Sequence, residues 1–161
     1  MLIGEFYVTE KIIRNKHMKL KLDNSSIVES FFDDTHLLGI VAPLKDYRFI
    51  WTINQELGFN FRIKNESEIV FIKKQRKYFF NVYQYTEPGC CIEHYLYNNE
   101  DDGEYLLPEF KHLDFLWLTK GDYITEEAIK QLMSSLRAMG PVQLVSEMSE
   151  DKIKNKEHLI L

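Results

Sequence analysis

Cysteine is scarce in this chain. Only Cys90 and Cys91 occur among 161 residues, and they are adjacent. Neighbouring thiols cannot staple distant segments, so the fold must stand on its core, and a reducing compartment, the cytoplasm, is the expected setting. Glycine is equally sparse, with seven residues, all isolated. No G-x-G-x-x-G turn, P-loop or G-x-S-x-G elbow occurs, which removes the usual sequence signs of a phosphate cradle or a hydrolase nucleophile. No apolar run reaches the roughly 18 residues of a membrane span. The first residues lack the basic start and long apolar stretch of a secretion signal. Basic charge is in deficit, with 20 Lys and Arg against 25 Asp and Glu. That balance argues against nucleic acid as a partner, which asks for a basic surface. The basic knot Lys73, Lys74, Arg76, Lys77 and the acidic one Glu100, Asp101, Asp102, Glu104 read as solvated hairpin surface.

What the chain has is aromatic mass: eleven Phe, nine Tyr and two Trp. Such rings favour strands and supply large buried area. The length fits one domain able to bury about 70% of its unfolded surface. Residues 1–17 lack core patterning and read as an N-terminal arm. Met18 to Asp23 alternates cleanly and opens a strand, so 18–161 is expected to form a single domain. Ser25 to Thr35 is either a short helix or a loop. Leu37 to Val41 reads as a buried strand.

Pro43 is expected at the first position of a helix over Leu44 to Leu57, closed by Gly58. Tyr47, Phe49, Ile50, Trp51, Ile53 and Leu57 cover an arc of about 200° on it, which predicts burial on more than one side. Strands follow at 60–64, 68–73, 78–86 and 91–97, the last two joined by a type II turn at Pro88-Gly89. Another is expected at 113–119. Thr125 caps a second helix whose stripe is Ile129, Leu132, Met133, Leu136 and Met139, and Gly140-Pro141 stops it. A final strand runs over 142–148. The expected fold is α+β: an antiparallel-dominated sheet with two main helices packed on one face.

Few motifs carry chemistry. Asn98, Glu100, Asp102, Gly103 and Glu109 have the spacing of a calcium loop. The flanks are strands, and Pro108 stands where the exiting helix should begin. A solvated loop is expected, with no metal and no calcium binding tighter than about millimolar. His36, His94 and His112 lie far apart and match no metal-ligand spacing. No cofactor motif occurs. Asp46 falls inside the apolar arc of its helix, where it either marks a cleft with Lys45 and Arg48 or compensates the helix N-terminus. Asp114 opens an apolar strand and must be paired if buried. Lys45, Asp46, Arg48, Glu109 and Asp114 together form the candidate polar cluster.

Leu107-Pro108-Glu109 followed by Leu113-Asp114-Phe115 resembles the signature of the IPExxVDY family, small bacterial proteins of unassigned function. Leu107, Leu113 and Phe115 stand in place of Ile, Val and Tyr, and three residues separate the halves where the signature has two. Lys45-Asp46-Tyr47-Arg48 and the strand from Met18 also look like that family. The resemblance implies no activity or cofactor, but it singles out Pro108, Glu109 and Asp114. Pro108 is expected at the start or edge of a strand, and Asp114 is expected to accept hydrogen bonds from an adjoining loop.

The reading is therefore a cytoplasmic interaction or structural module without catalytic activity. The alternative is a small enzyme or small-molecule binder centred on Asp46, Arg48, Glu109 and Asp114. Rings fall on both faces of the predicted hairpin: Tyr83 and Tyr85 on one side of the first strand, Tyr95 and Tyr97 on one side of the second. Two helices cover only one face, so the arm or a second copy is expected over the other. A homodimer divided by Tyr83→Glu or Tyr95→Glu is the expectation, with an unknown protein as a further possible partner.

Overall fold

The computed structural model describes residues 24–64 and 68–161. The arm and the strand expected from Met18 to Asp23 lie outside the described residues. The chain opens with α1 (Asn24–Phe32), β1 (Thr35–Val41), α2 (Asp46–Leu57) and β2 (Arg62–Ile63). Next come β3 (Ile69–Lys73), β4 (Arg76–Phe80), β5 (Val82–Thr86), β6 (Glu93–Asn98), β7 (Glu100–Asp101) and β8 (Glu104–Tyr105). Then follow a 3-10 turn at Pro108–Phe110, β9 (Phe115–Lys120), α3 (Glu126–Ala138) and β10 (Leu144–Glu147). Two further 3-10 turns lie at Glu150–Lys152 and Lys156–Leu159.

A six-stranded sheet in the order β10-β1-β9-β6-β5-β2 forms the centre, with two-stranded hairpins β3-β4 and β7-β8 beside it. The strand pairings among the described residues are antiparallel. The fold is α+β, as the patterning predicts.

The period of two in each strand divides the core into two layers. Leu38, Ile40, Leu96, Phe115 and Trp117 point to one side, against Phe49, Ile50 and Ile53 of α2 and Ile129, Met133 and Leu136 of α3. Leu37, Val82, Tyr95, Tyr97 and Leu118 point to the other. Ring pairs such as Phe49 on Phe115, with centroids 4.5 Å apart, add specific geometry to area burial.

The structure settles one open reading and corrects others. The stretch 25–35 is mostly helical, and Phe32 of α1 packs on the sheet face opposite α2 and α3. Pro43 lies before α2, whose N-cap is Lys45 and which makes no side-chain cap. The expected strand 78–86 is two strands, because the chain leaves one ladder and enters another at Asn81. The acidic loop is a small hairpin, as expected. Asp102 and Gly103 both take positive φ, 47° and 80°, as a two-residue type I′ turn requires.

The wide arc on α2 is only partly used. Phe49, Ile50 and Ile53 are buried, whereas Tyr47 and Trp51 are 63% and 65% exposed. On the second face, Phe80, Leu106, Leu107, Phe110, Ile153 and Leu159 of the same chain are buried in one cluster with the sheet. Tyr83 on the helical side and Tyr95 on the second face are both buried inside one chain, so glutamate at either position should disrupt that chain's own core.

Candidate functional site

The candidate polar cluster does not converge. Asp46 opens α2, and its Oδ2 accepts hydrogen bonds from Asn81 Nδ2 at 2.6 Å and the Tyr83 hydroxyl at 2.9 Å. Burial first, then this carboxylate, pushes the Tyr83 hydroxyl pKa up. Asp114 Oδ2 accepts from the Ala42 amide at 2.8 Å, so its donor is backbone in the loop before α2 rather than Lys45 or Arg48. Lys45, Asp46 and Asp114 share a polar hollow of about 290 Å³ with Asp101 and Asp102. Arg48 is exposed and does not line it.

The acids around that hollow are occupied. Asp101 accepts from the Phe79 amide, Asp102 pairs with Arg76, and Glu100 accepts from the Gly103 amide. Glu109, the twelfth position of the calcium-like spacing, turns elsewhere: it takes the Lys154 and Asn155 amides and the Asn155 side chain at 2.7–3.0 Å.

The family-like signature is a structural knot around a residue the sequence reading passed over. Asn99 is fully buried. Its Nδ2 donates to the carbonyls of Phe110 and Leu113, and its Oδ1 accepts from the Leu107 amide. Its backbone N–H donates to the Asp114 carbonyl, and its carbonyl accepts from Leu106. Pro108 opens a 3-10 turn rather than a strand, because φ fixed near its helical value suits that first position. Leu113 is buried over Gly39, where a Cβ would overlap it and lie 2.9 Å from Met148 Sδ. The signature thus ties β1, β9 and the C-terminal turns together.

A different region holds a larger hollow than that polar one, a cleft of about 450 Å³ on the helical side of the sheet. Three elements build it. Gly58, at φ 74°, ends α2 in the left-handed region and returns the chain toward the sheet. Asn54 then grips Phe61 at both backbone groups, at 2.9 and 3.1 Å, which seats Phe59 as one wall. Thr125 caps α3, and Ile129 and Leu132 of that helix form the opposite wall. The β5-β6 turn, where Gly89 takes φ 79°, carries Glu87 and Ile92 to the rim.

His94 lies at the floor, on the sheet face of Leu96 and Ile92. It is buried, with Phe59 and Trp117 edge-on at centroid distances of 5.2 and 5.9 Å and Tyr85 stacked at 5.9 Å. Trp117 Nε1–H donates to His94 Nδ1 at 3.1 Å. An indole N–H only donates, so Nδ1 must be the bare acceptor. Nε2 therefore carries the proton and donates to Glu87 Oε1 at 2.8 Å. Burial lowers the His94 pKa and outweighs the opposing pull of Glu87. The neutral ring is also what Trp117 demands, since a proton on Nδ1 would set two donors face to face.

A pH dependence follows with a definite sign. A histidine lowered on folding contributes stability that is complete above its ordinary value of 6.5 and is lost as pH falls through the folded value. Chemical denaturation at pH 7.5 and pH 5 should show wild type losing stability, and His94→Gln losing less over the same interval.

No metal-binding group of three or more His, Cys, Asp or Glu side chains occurs among the described residues. The chain matches no family model, no curated protein and no solved structure. Sequence reading weighed His94 only as a metal ligand and gave no sign of Glu87. The available signal was a histidine on the apolar side of a strand, between Ile92 and Leu96.

Proposed function

We propose that the protein is a non-catalytic binding module whose ligand is a small molecule held in the cleft over Glu87 and His94. The cleft itself carries this reading: an apolar hollow with a small number of fixed polar groups is the common form of a ligand site. Phe59, Ile92, Ile124 and Leu132 supply apolar wall, and Glu87, with Thr119 and Ser135, supplies polar contacts. A binding role fits His94 better than an acid–base role, because both ring nitrogens are already committed, to Trp117 and Glu87. A fragment screen read by amide chemical shifts tests it. Ligands should shift residues of the cleft in wild type and lose binding by at least about tenfold in Leu132→Trp, which fills the space. Fragments that shift only residues elsewhere would reject this function.

Association with a protein is a second reading, favoured by Tyr47 and Trp51. They lie one turn apart on the outer side of α2 and are mostly exposed. Tyrosine and tryptophan are the residues most enriched at interface centres. A homodimer of this kind has its contact on α2, so light scattering should show a dimer mass that Trp51→Glu reduces to one chain. Cytoplasmic location is supported by two free thiols. Among the described residues, no helix is long and apolar enough to cross a membrane. Membership of the IPExxVDY family is supported by the joint action of Leu107, Glu109, Leu113 and Asp114 in one knot.

A further inference from the structure

The charge around the cleft is one-sided. Glu56 and Glu87 stand at its rim, and no Lys or Arg lines it. Neither carboxylate pairs with a lysine or arginine among the described residues. Glu87 receives one N–H from a neutral imidazole, which leaves its full negative charge in place. Its second oxygen, Oε2, faces only the Cys90 thiol at 3.4 Å, a weak donor. That oxygen keeps acceptor capacity for something stronger. The rings of Phe59 and Tyr123 flank the same space, and aromatic faces attract cations. Apolar walls, two uncompensated carboxylates and ring faces describe the complement of an organic ammonium ion.

We infer that the cleft is a site for a hydrophobic amine: a cation whose ammonium group meets Glu87 Oε2 and whose apolar body lies between Phe59 and Leu132. The inference rests on the reading of the cleft as a ligand site and adds the chemistry of the ligand. A carboxylate ligand would meet like charge from both glutamates. A neutral ligand would fill the walls and leave Glu87 uncompensated. Negative charge at a partly enclosed rim therefore discriminates among ligands of equal size.

Calorimetry with three matched probes tests this on the full chain at pH 7.5: 4-phenylbutylamine, 4-phenylbutanol and 4-phenylbutanoate. The amine should bind about fivefold tighter than the alcohol, with the carboxylate weakest. Glu87→Gln keeps an oxygen for His94 Nε2–H and should retain the fold, while amine and alcohol become equal within about twofold. Glu56→Gln, on an exposed helix turn, is the second variant and should narrow the preference without abolishing it. Equal affinities for all three probes in wild type would overturn the amine assignment and leave the cleft a binding site. An amine preference that survives both substitutions would also overturn it, because the attracting charge would then lie elsewhere. Failure of every probe to bind at millimolar concentration would reject both the amine and the site.

Discussion

Replacing Asn99 with alanine should lower folding stability by about 3–5 kcal/mol, the largest effect expected from any polar substitution here. The side chain is fully buried and makes three hydrogen bonds, to the carbonyls of Phe110 and Leu113 and the amide of Leu107. Alanine leaves all three backbone groups buried without a partner. Each unsatisfied group costs about 1–3 kcal/mol, and partial entry of water offsets some of the sum. Asn99→Asp separates size from chemistry. It keeps the acceptor for Leu107 but presents carboxylate oxygen to two carbonyls, so it should be at least as damaging at pH 7. Urea denaturation of the three proteins measures the effect. A loss below about 1 kcal/mol for alanine would show that the signature segment holds its shape without Asn99.

The second large effect belongs to Glu109. Its carboxylate takes the Lys154 and Asn155 amides and the Asn155 side chain, and so pins the C-terminal turns to the knot. Hydrogen bonds to a charged acceptor are worth about 1.5–3 kcal/mol each when dry, and this group is partly solvated. Glu109→Ala should therefore cost about 2 kcal/mol in all and speed hydrogen exchange at Lys154 and Asn155. Burial alone would raise the Glu109 pKa, but the amide and Asn155 hydrogen bonds prevail and hold it below the ordinary 4.5. A lowered carboxylate contributes stability that is complete above that ordinary value and is lost as pH falls through the folded one. Acid should thus free these turns in wild type, and the alanine variant should show no such step. An unchanged exchange rate at Asn155 in the variant would remove the carboxylate from this role.

These two residues show where sequence reading stops. Elements governed by local pattern were legible. The helix closed by Gly58 and the alternation that sets Tyr83 with Tyr85, and Tyr95 with Tyr97, follow from spacing alone. The α+β class followed from the same signals. What escaped depends on partners far along the chain. Glu109 is defined by amides at 154 and 155, and Asn99 by carbonyls at 110 and 113. His94 gains meaning only when the register Tyr85↔His94 and Glu93↔Lys120 brings Glu87, Trp117 and Thr119 around it. What covers Tyr95 and Tyr97 was illegible for a related reason. Period two assigns a side chain to a face but does not say what covers that face, and here the chain's own C-terminal turns do so.

That cover has a consequence for the order in which a newly made chain can finish. Tyr97 donates its hydroxyl to the Leu159 carbonyl at 2.8 Å, and Ile153 and Leu159 are buried against the second face of the sheet. β1 lacks its outer neighbour until β10 has been synthesised. A ribosome that has reached α3 has delivered a sheet with one dry side and one side of wet tyrosine and leucine. Such an unfinished surface is what chaperones hold and what aggregates recruit. A stop codon in place of Ile153 should therefore show itself less as a weak ligand binder than as insoluble protein, with the helical half nearly complete and the opposite half never closed.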